Sequence, residues 1–217
     1  MSKPYTESIK CPSCKHEFDF TGWESLNTTL DPDEKERLLS GELFRAVCPK
    51  CQESYNVVYP ILYHDMERKV MVWLILKDSD VDDIMAFLKD AKSNEFFEDM
   101  IKKDGYTYRF VKTQDELREK ALIFDCGLDD RVVEYLKIIF HAQLIEQNPE
   151  LEVTNIYFYN EPTYCFLFYL EDGRSCSIEF DEGILNSIFE RKQKQFDEKS
   201  KDIMIIDNAW AIQFFQS

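Results

Sequence analysis

Over the first sixty residues, apolar positions recur with a period of two. Phe18 and Phe20 alternate with polar neighbours, and Tyr55, Val57 and Tyr59 repeat the pattern, as half-buried strands do. Residues 5–21 therefore read as strand, tight turn, strand. Residues 42–47 and 55–59 flank a second turn of the same design. A short helix is predicted between the two units. Asp31 can cap it, Pro32 suits its first position, Glu34 lies three residues after the cap, Leu38 and Leu39 form an apolar side, and Gly41 can end it. Residues 61–65 and 67–76 read as a hairpin turning near Asp65-Met66-Glu67, with Pro60 at a strand edge or bulge.

The period then lengthens to that of a helix. Ser79 is placed to cap a helix carrying Val81, Ile84, Met85 and Leu88 on one face, and Phe96 and Phe97 fall on a second short helix ending near Gly105. Residues 106–111 form a predicted strand. Thr113 and Glu116 make a capping box for a helix through Leu117, Leu122 and Ile123, which Gly127 ends. The longest helical pattern covers 128–147, with Val132, Tyr135, Leu136, Ile139 and Phe140 on its apolar side and Pro149 as its stop.

The rest is β-rich. Residues 153–159, 164–170 and 175–180 read as a meander, with Asp172-Gly173 as a two-residue turn. That register sets Tyr169 opposite Cys176 and Cys165 opposite Phe180, so no disulfide joins the two cysteines. Cys165, Leu167 and Tyr169 then share a face with Cys176, Ile178 and Phe180. Phe166, Phe168 and Leu170 point the other way, to be covered by the helix at 128–147 or one at 184–198. Residues 203–206 and 210–215 read as closing strands.

Two CPxC pairs, Cys11-Pro12-Ser13-Cys14 and Cys48-Pro49-Lys50-Cys51, sit in the turns of the two N-terminal units. Two residues between cysteines let both thiolates reach one ion, and two such turns complete the tetrahedron of structural zinc. Cys11, Cys14, Cys48 and Cys51 are thus the expected ligands of one Zn²⁺. An iron–sulfur cluster accepts the same four thiolates, but the ribbon-like flanks favour zinc. A redox dithiol usually sits at a helix N-terminus, whereas both pairs here fall between strands. Lys10, Lys15 and Lys50 flank the pairs and can offset the charge of the thiolates. Four sulfurs close the shell, which leaves His16 as a surface histidine. Cys126, Cys165 and Cys176 read as core filler. The carboxylates at Asp80, Asp82 and Asp83 answer to the helix dipole, and the glycine and later Glu of a calcium loop are absent.

The fold class is therefore α+β: an N-terminal zinc-ribbon-like β module with a helical insertion, then an α+β region whose antiparallel sheet is packed by helices. Two CPxC units separated by an insertion, with the later stretches Tyr108-Arg109-Phe110-Val111 and Glu116-Leu117-Arg118-Glu119-Lys120, resemble the bacterial CpXC family. The resemblance implies a CpXC-type domain over residues 1–125, with the ribbon at about 5–62, and leaves 126–217 as a C-terminal α+β domain with the meander. It implies the four cysteines as metal ligands and no established activity. The residues after the second cysteine of each pair are Lys15 and Gln52, where ribbons usually carry glycine.

Charge narrows the function. The net charge is −16, which opposes binding to nucleic-acid phosphates. Residues 1–60 hold 7 Lys and Arg against 10 Asp and Glu, so the ribbon is less acidic than the remainder but not basic. The start of the chain has no apolar stretch behind its charges, and no run approaches the ~20 apolar residues of a membrane span. A cytoplasmic protein is expected. No glycine-rich phosphate loop, HExxH or Ser/His/Asp context is present. The leading expectation is a zinc-binding, non-enzymatic module for protein–protein interaction or regulation, with protein as the partner. Nucleic-acid binding through Lys10, Lys15, Arg45 and Lys50 is the first alternative. An enzyme whose site the sequence does not display is the second.

Overall fold

The computed structural model describes residues 2–77, 79–82, 84, 86, 105–201 and 203–216. The chain divides into two compact units, Met1–Arg118 and Glu119–Ser217. The residues expected to form the later part of the helix at 79 and the helix of Phe96 and Phe97 lie outside the described residues. Residues 79–82, 84 and 86 are helical.

The first unit contains β1 (Lys3–Lys10), β2 (Glu17–Asn27), α1 (Pro32–Leu39), β3 (Arg45–Val47), β4 (Ser54–Asn56), β5 (Ile61–Asp65), β6 (Val70–Leu74) and β7 (Thr107–Val111). Five strands make one sheet in the order β1-β2-β5-β6-β7, and β3 pairs with β4 separately. The first expected ribbon is therefore continuous with a larger sheet. β2 runs past the ribbon, and its last residues, Ser25, Leu26 and Asn27, pair in parallel with Leu62, Tyr63 and His64. This register places Leu26, Tyr63 and Val72 side by side on one face, all fully buried. The expected hairpin at 61–76 forms as β5 and β6, and the expected strand at 106–111 forms as β7.

The predicted insertion helix forms as α1. Asp31 is its N-cap residue but makes no side-chain cap hydrogen bond, Pro32 opens it, and Leu38 is buried. Gly41 follows with φ of 83°, a left-handed geometry that glycine takes without strain. Tyr59 joins the ribbons, with its ring 5.9 Å from Tyr5, 5.9 Å from Phe20 and 5.0 Å from Phe44. Tyr5 lies across Gly22, its register partner on β2. A Cβ at Gly22 would stand 2.5 Å from the Tyr5 ring, so Gly22→Ala must displace that ring. It is expected to cost about 1–3 kcal/mol as an overpacking change, measurable by denaturant unfolding with metal in excess.

The division between the units falls within α2 (Gln114–Asp125). Its capping box forms as predicted: Thr113 Oγ1 accepts from the Glu116 N–H at 3.1 Å, and Glu116 accepts from the Thr113 N–H at 3.1 Å. The second unit continues with α3 (Asp130–Gln147), β8 (Val153–Tyr159), β9 (Cys165–Leu170), β10 (Ser175–Glu179), α4 (Glu182–Lys199) and α5 (Asn208–Ile212). Its core gathers Val133 and Leu136 of α3, Phe158, Phe166 and Phe168 of the sheet, Phe196 of α4 and Trp210 of α5. Both candidate helices thus pack on the Phe166/Phe168 face.

Three expectations are corrected here. The hairpin between β9 and β10 has a three-residue loop, not a two-residue turn. Leu170 pairs with Arg174, Gly173 takes φ of 82°, and Asp172 Oδ1 accepts from the Arg174 N–H at 2.9 Å. A type I turn closed by a left-handed glycine accommodates the extra residue. The register therefore moves by one, which puts Cys176 opposite Phe168 and Ile178 opposite Phe166. Cys176 and Ile178 join the phenylalanine face, and Cys165 sits opposite Glu179. The two cysteines remain unbonded. At the C-terminus, residues 203–206 form no strand, and α5 stands where a second strand was expected. Asp207 caps α5 by accepting from the Trp210 N–H at 2.8 Å, and the helix buries Trp210 and Ala211. Third, the start of α3 is not amphipathic, because residues 132–137 are buried on every side.

Candidate metal centre

Each CPxC pair occupies a turn between two antiparallel strands, the first between β1 and β2 and the second between β3 and β4. The two turns are built alike. The Cys11 N–H donates to the His16 carbonyl at 2.9 Å and the Lys15 N–H to the Cys11 carbonyl at 3.0 Å. In the second turn the Cys48 N–H donates to the Glu53 carbonyl at 2.9 Å and the Gln52 N–H to the Cys48 carbonyl at 2.9 Å. Pro12 and Pro49 fix φ at the same place in each.

The missing glycines do not change the turn. Lys15 and Gln52 adopt left-handed φ values of 61° and 63°, a conformation that disfavours a Cβ. Each side chain turns back to the proline carbonyl of its own knuckle: Lys15 Nζ donates to Pro12 O at 2.7 Å, and Gln52 Nε2 to Pro49 O at 3.2 Å. A hydrogen bond that glycine cannot make offsets part of the backbone strain.

The turns bring all four predicted ligands together. The Sγ atoms of Cys11, Cys14, Cys48 and Cys51 lie within 4.8 Å of one another. Cys11 to Cys51 and Cys14 to Cys48 are each 3.6 Å. A disulfide would need about 2.05 Å, whereas a tetrahedron with metal–sulfur bonds of about 2.3 Å has edges of about 3.8 Å. The spacing fits a four-coordinate ion. Cys11 and Cys48 are fully buried, Cys14 is half-buried and Cys51 is exposed.

The surroundings act oppositely on Cys48 and Cys51. Burial pushes the Cys48 thiol up, but N–H donors from Cys51 and Lys50 and the neighbouring Cys14 and Cys51 side chains outweigh it and hold the thiol at about 7. The Glu53 N–H favours thiolate at Cys51, yet burial and the other three sulfurs win and raise it to about 12. Four sulfurs this close cannot all ionise without a cation between them, and a coordinated metal supplies that charge. Beside them, the Tyr55 hydroxyl is buried with no hydrogen-bond partner. Its pKa is raised first by burial and then by the four sulfurs.

A model of the CpXC protein family matches residues 9–137. The chain belongs to the CpXC family. No curated protein and no solved structure matches it. The CpXC match takes in both knuckles and extends through α2 into α3.

The other residues raised by the sequence fall elsewhere in this CpXC protein. His16 stacks on Phe18 with ring centroids 6.5 Å apart. His64 contacts the Tyr106 hydroxyl at 3.1 Å. Lys10 pairs with Glu17 at 3.2 Å, and Lys15 is held by Pro12, so backbone N–H groups rather than these two lysines meet the thiolate charge. Arg45 is engaged by Glu42 at 2.7 Å and by Ser54. Sequence reasoning missed a cluster of buried charges in the second unit. Its signal was present: Asp130, Glu134 and Lys137 recur at helical spacing on α3, as core residues do.

Proposed function

We propose that this CpXC protein is a zinc-stabilised, non-enzymatic module that binds a protein partner. The observation that carries the reading is the closed set of four sulfurs. Zinc suits four tetrahedral thiolates, and a shell with no open position holds structure rather than activating water. The ion would tie the short ribbon of β3 and β4, three residues each, to the eight-residue pairing of β1 and β2.

The remaining surface supports a protein rather than a nucleic acid as partner. The chain carries −16 overall, and Lys10, Lys15 and Arg45 are each engaged by a carboxylate or a carbonyl. The cleft bounded by Glu24, Ser25, Leu62, Trp73 and Asp80 holds about 330 Å³ and has no histidine or cysteine in its lining. No helix of the described residues is long and apolar enough to cross a membrane.

The test is affinity capture from native extract, with and without nuclease, alongside a Cys11→Ser/Cys48→Ser control, with metal content measured on the bait. The reading expects one zinc per chain and a stoichiometric protein partner that survives nuclease and is lost in the control. Recovery of nucleic acid alone, or a metal other than zinc, would overturn it.

A further inference from the structure

The three-stranded sheet of the second unit has β8 at one edge and β10 at the other. On β8 the Phe158 N–H is taken by the buried Glu119, whose Oε1 accepts it at 2.5 Å. β10 is open. The Leu170 N–H donates to the Arg174 carbonyl and the Phe180 N–H to the Tyr164 carbonyl, each at 2.9 Å. Arg174 and Phe180 therefore face β9, and the unbroken register between them puts Cys176 and Ile178 in the same set. The main-chain groups of Ser175, Ser177 and Glu179 point the other way, off the sheet. All three residues are exposed, and among the described residues no further strand pairs with β10.

Proteins guard such an edge with a proline, a bulge or a lysine. Ser175-Cys176-Ser177-Ile178-Glu179 has none of these. The two serines leave the outer face open for a strand to lie alongside. On the inner face Cys176 and Ile178 pack against the phenylalanine core but stay half-buried, so a fourth strand would complete their cover.

Charge decides what can pair there. Residues 171–182 hold Glu171, Asp172, Glu179, Asp181 and Glu182 against Arg174 alone, and Asp172 holds Arg174 at 2.7 Å. Glu150 and Glu152 line a cleft of about 210 Å³ together with Glu171 and Asp172. The Glu171 carboxyl is pushed up, first by its hydrogen bond with Glu152 and then by desolvation, as acids crowded without a cation are. A second copy of the chain is a poor occupant. Antiparallel pairing centred on Ser177 brings Asp172 toward the copy's Glu182, and in-register parallel pairing sets the two Glu179 side chains side by side, which is destabilising.

We propose that the free edge of β10 is where the protein partner docks, adding an extended segment rich in lysine or arginine as a fourth strand. The assignment rests on the protein-partner reading. Main-chain bonds to Ser175, Ser177 and Glu179 supply the pairing, and the carboxylates at both ends of the strand supply the preference for a basic sequence. Residues directly opposite each other share a face. The partner's basic side chains lie over Ser175, Ser177 and Glu179, and its apolar ones over Cys176 and Ile178.

The probe is acetyl-(Lys-Val)4-amide, added at low salt to the full chain with its metal, and the readout is residue-resolved amide exchange. At ten times its dissociation constant the peptide should slow exchange at Ser175, Ser177 and Glu179 about tenfold, and acetyl-(Glu-Val)4-amide should not. N-methylation of the lysine amides, which face β10, should abolish the effect, whereas N-methylation of the valine amides, which face away, should spare it. No slowing at these three amides, or equal binding of the lysine-methylated peptide, would overturn the proposal. Protection that rises with protein concentration in the absence of peptide would overturn it in favour of self-pairing. Ser177→Pro removes the central donor, and because that N–H faces off the sheet the β9 ladder keeps its bonds. As bait in the capture experiment it should lose the partner that wild type retains. A partner held equally by both baits overturns the edge as its site and leaves the protein-partner reading standing. No partner on either bait refutes that reading, and the peptide exchange still decides the edge.

Discussion

Replacing Cys48 with serine is expected to abolish metal binding at the four-sulfur cluster and to unfold the second ribbon, residues 42–59. Cys48 is fully buried, 3.6 Å from Cys14, and N–H donors and neighbouring sulfurs lower its thiol to about 7. Structural zinc contributes about 10–16 kcal/mol of apparent binding free energy in small domains. That is comparable to the total stability of a folded unit, about 5–15 kcal/mol. The second ribbon has little else to hold it, since β3 and β4 share three register pairs, whereas β1 and β2 pair over eight and continue into the five-stranded sheet. Exchange protection should vanish from 42–59, while peptides covering 130–147 and 153–180 keep theirs. The second unit has its own core, from Val133 to Trp210. Chelation of the wild type should reproduce the same pattern. Loss of protection along the whole chain at once would show that the units do not fold separately.

Lys120→Met will be the most damaging single change in the second unit. Lys120 is about as buried as a charge can be, and its pKa is raised because Glu134, Asp130 and Glu119 outweigh the cost of its desolvation. Its removal takes away the ammonium that Asp130 and Glu134 both face. Breaking a buried ion pair from one side costs about 3–5 kcal/mol, a large part of a typical domain's stability. Opening of the 119–147 peptides should rise by about a hundredfold or more. An effect below about 1 kcal/mol would show that water reaches the cluster.

The metal ligands were legible because the chemistry demands a local spacing, and CPxC supplies it twice within contiguous residues. Helices α1 and α2 were legible for the same reason: Pro32, Gly41 and the Thr113/Glu116 box act within one or two turns. What escaped depends on distant partners. The parallel pairing of Ser25, Leu26 and Asn27 with β5 joins segments 37 residues apart in sequence, and nothing local announces it. Asp172-Gly173 suits a two-residue turn, yet one further residue shifts the register and exchanges the faces of β10. Residues 203–215 are apolar enough for strands, but Asp207 capping Trp210 decides for helix. The charged positions of α3 lie off its predicted apolar side, and their partners, Glu119 and Lys120, come from another helix.

The bond from Phe158 to Glu119 has a consequence for how this protein fails. An edge strand with free N–H groups is a template on which another chain can add a strand. β8 is such an edge, with Ile156 and Phe158 along it, and a buried glutamate occupies the Phe158 donor. Whatever opens that contact exposes an apolar strand ready to pair, so damage to the cluster should appear first as aggregation rather than as soluble unfolded chain.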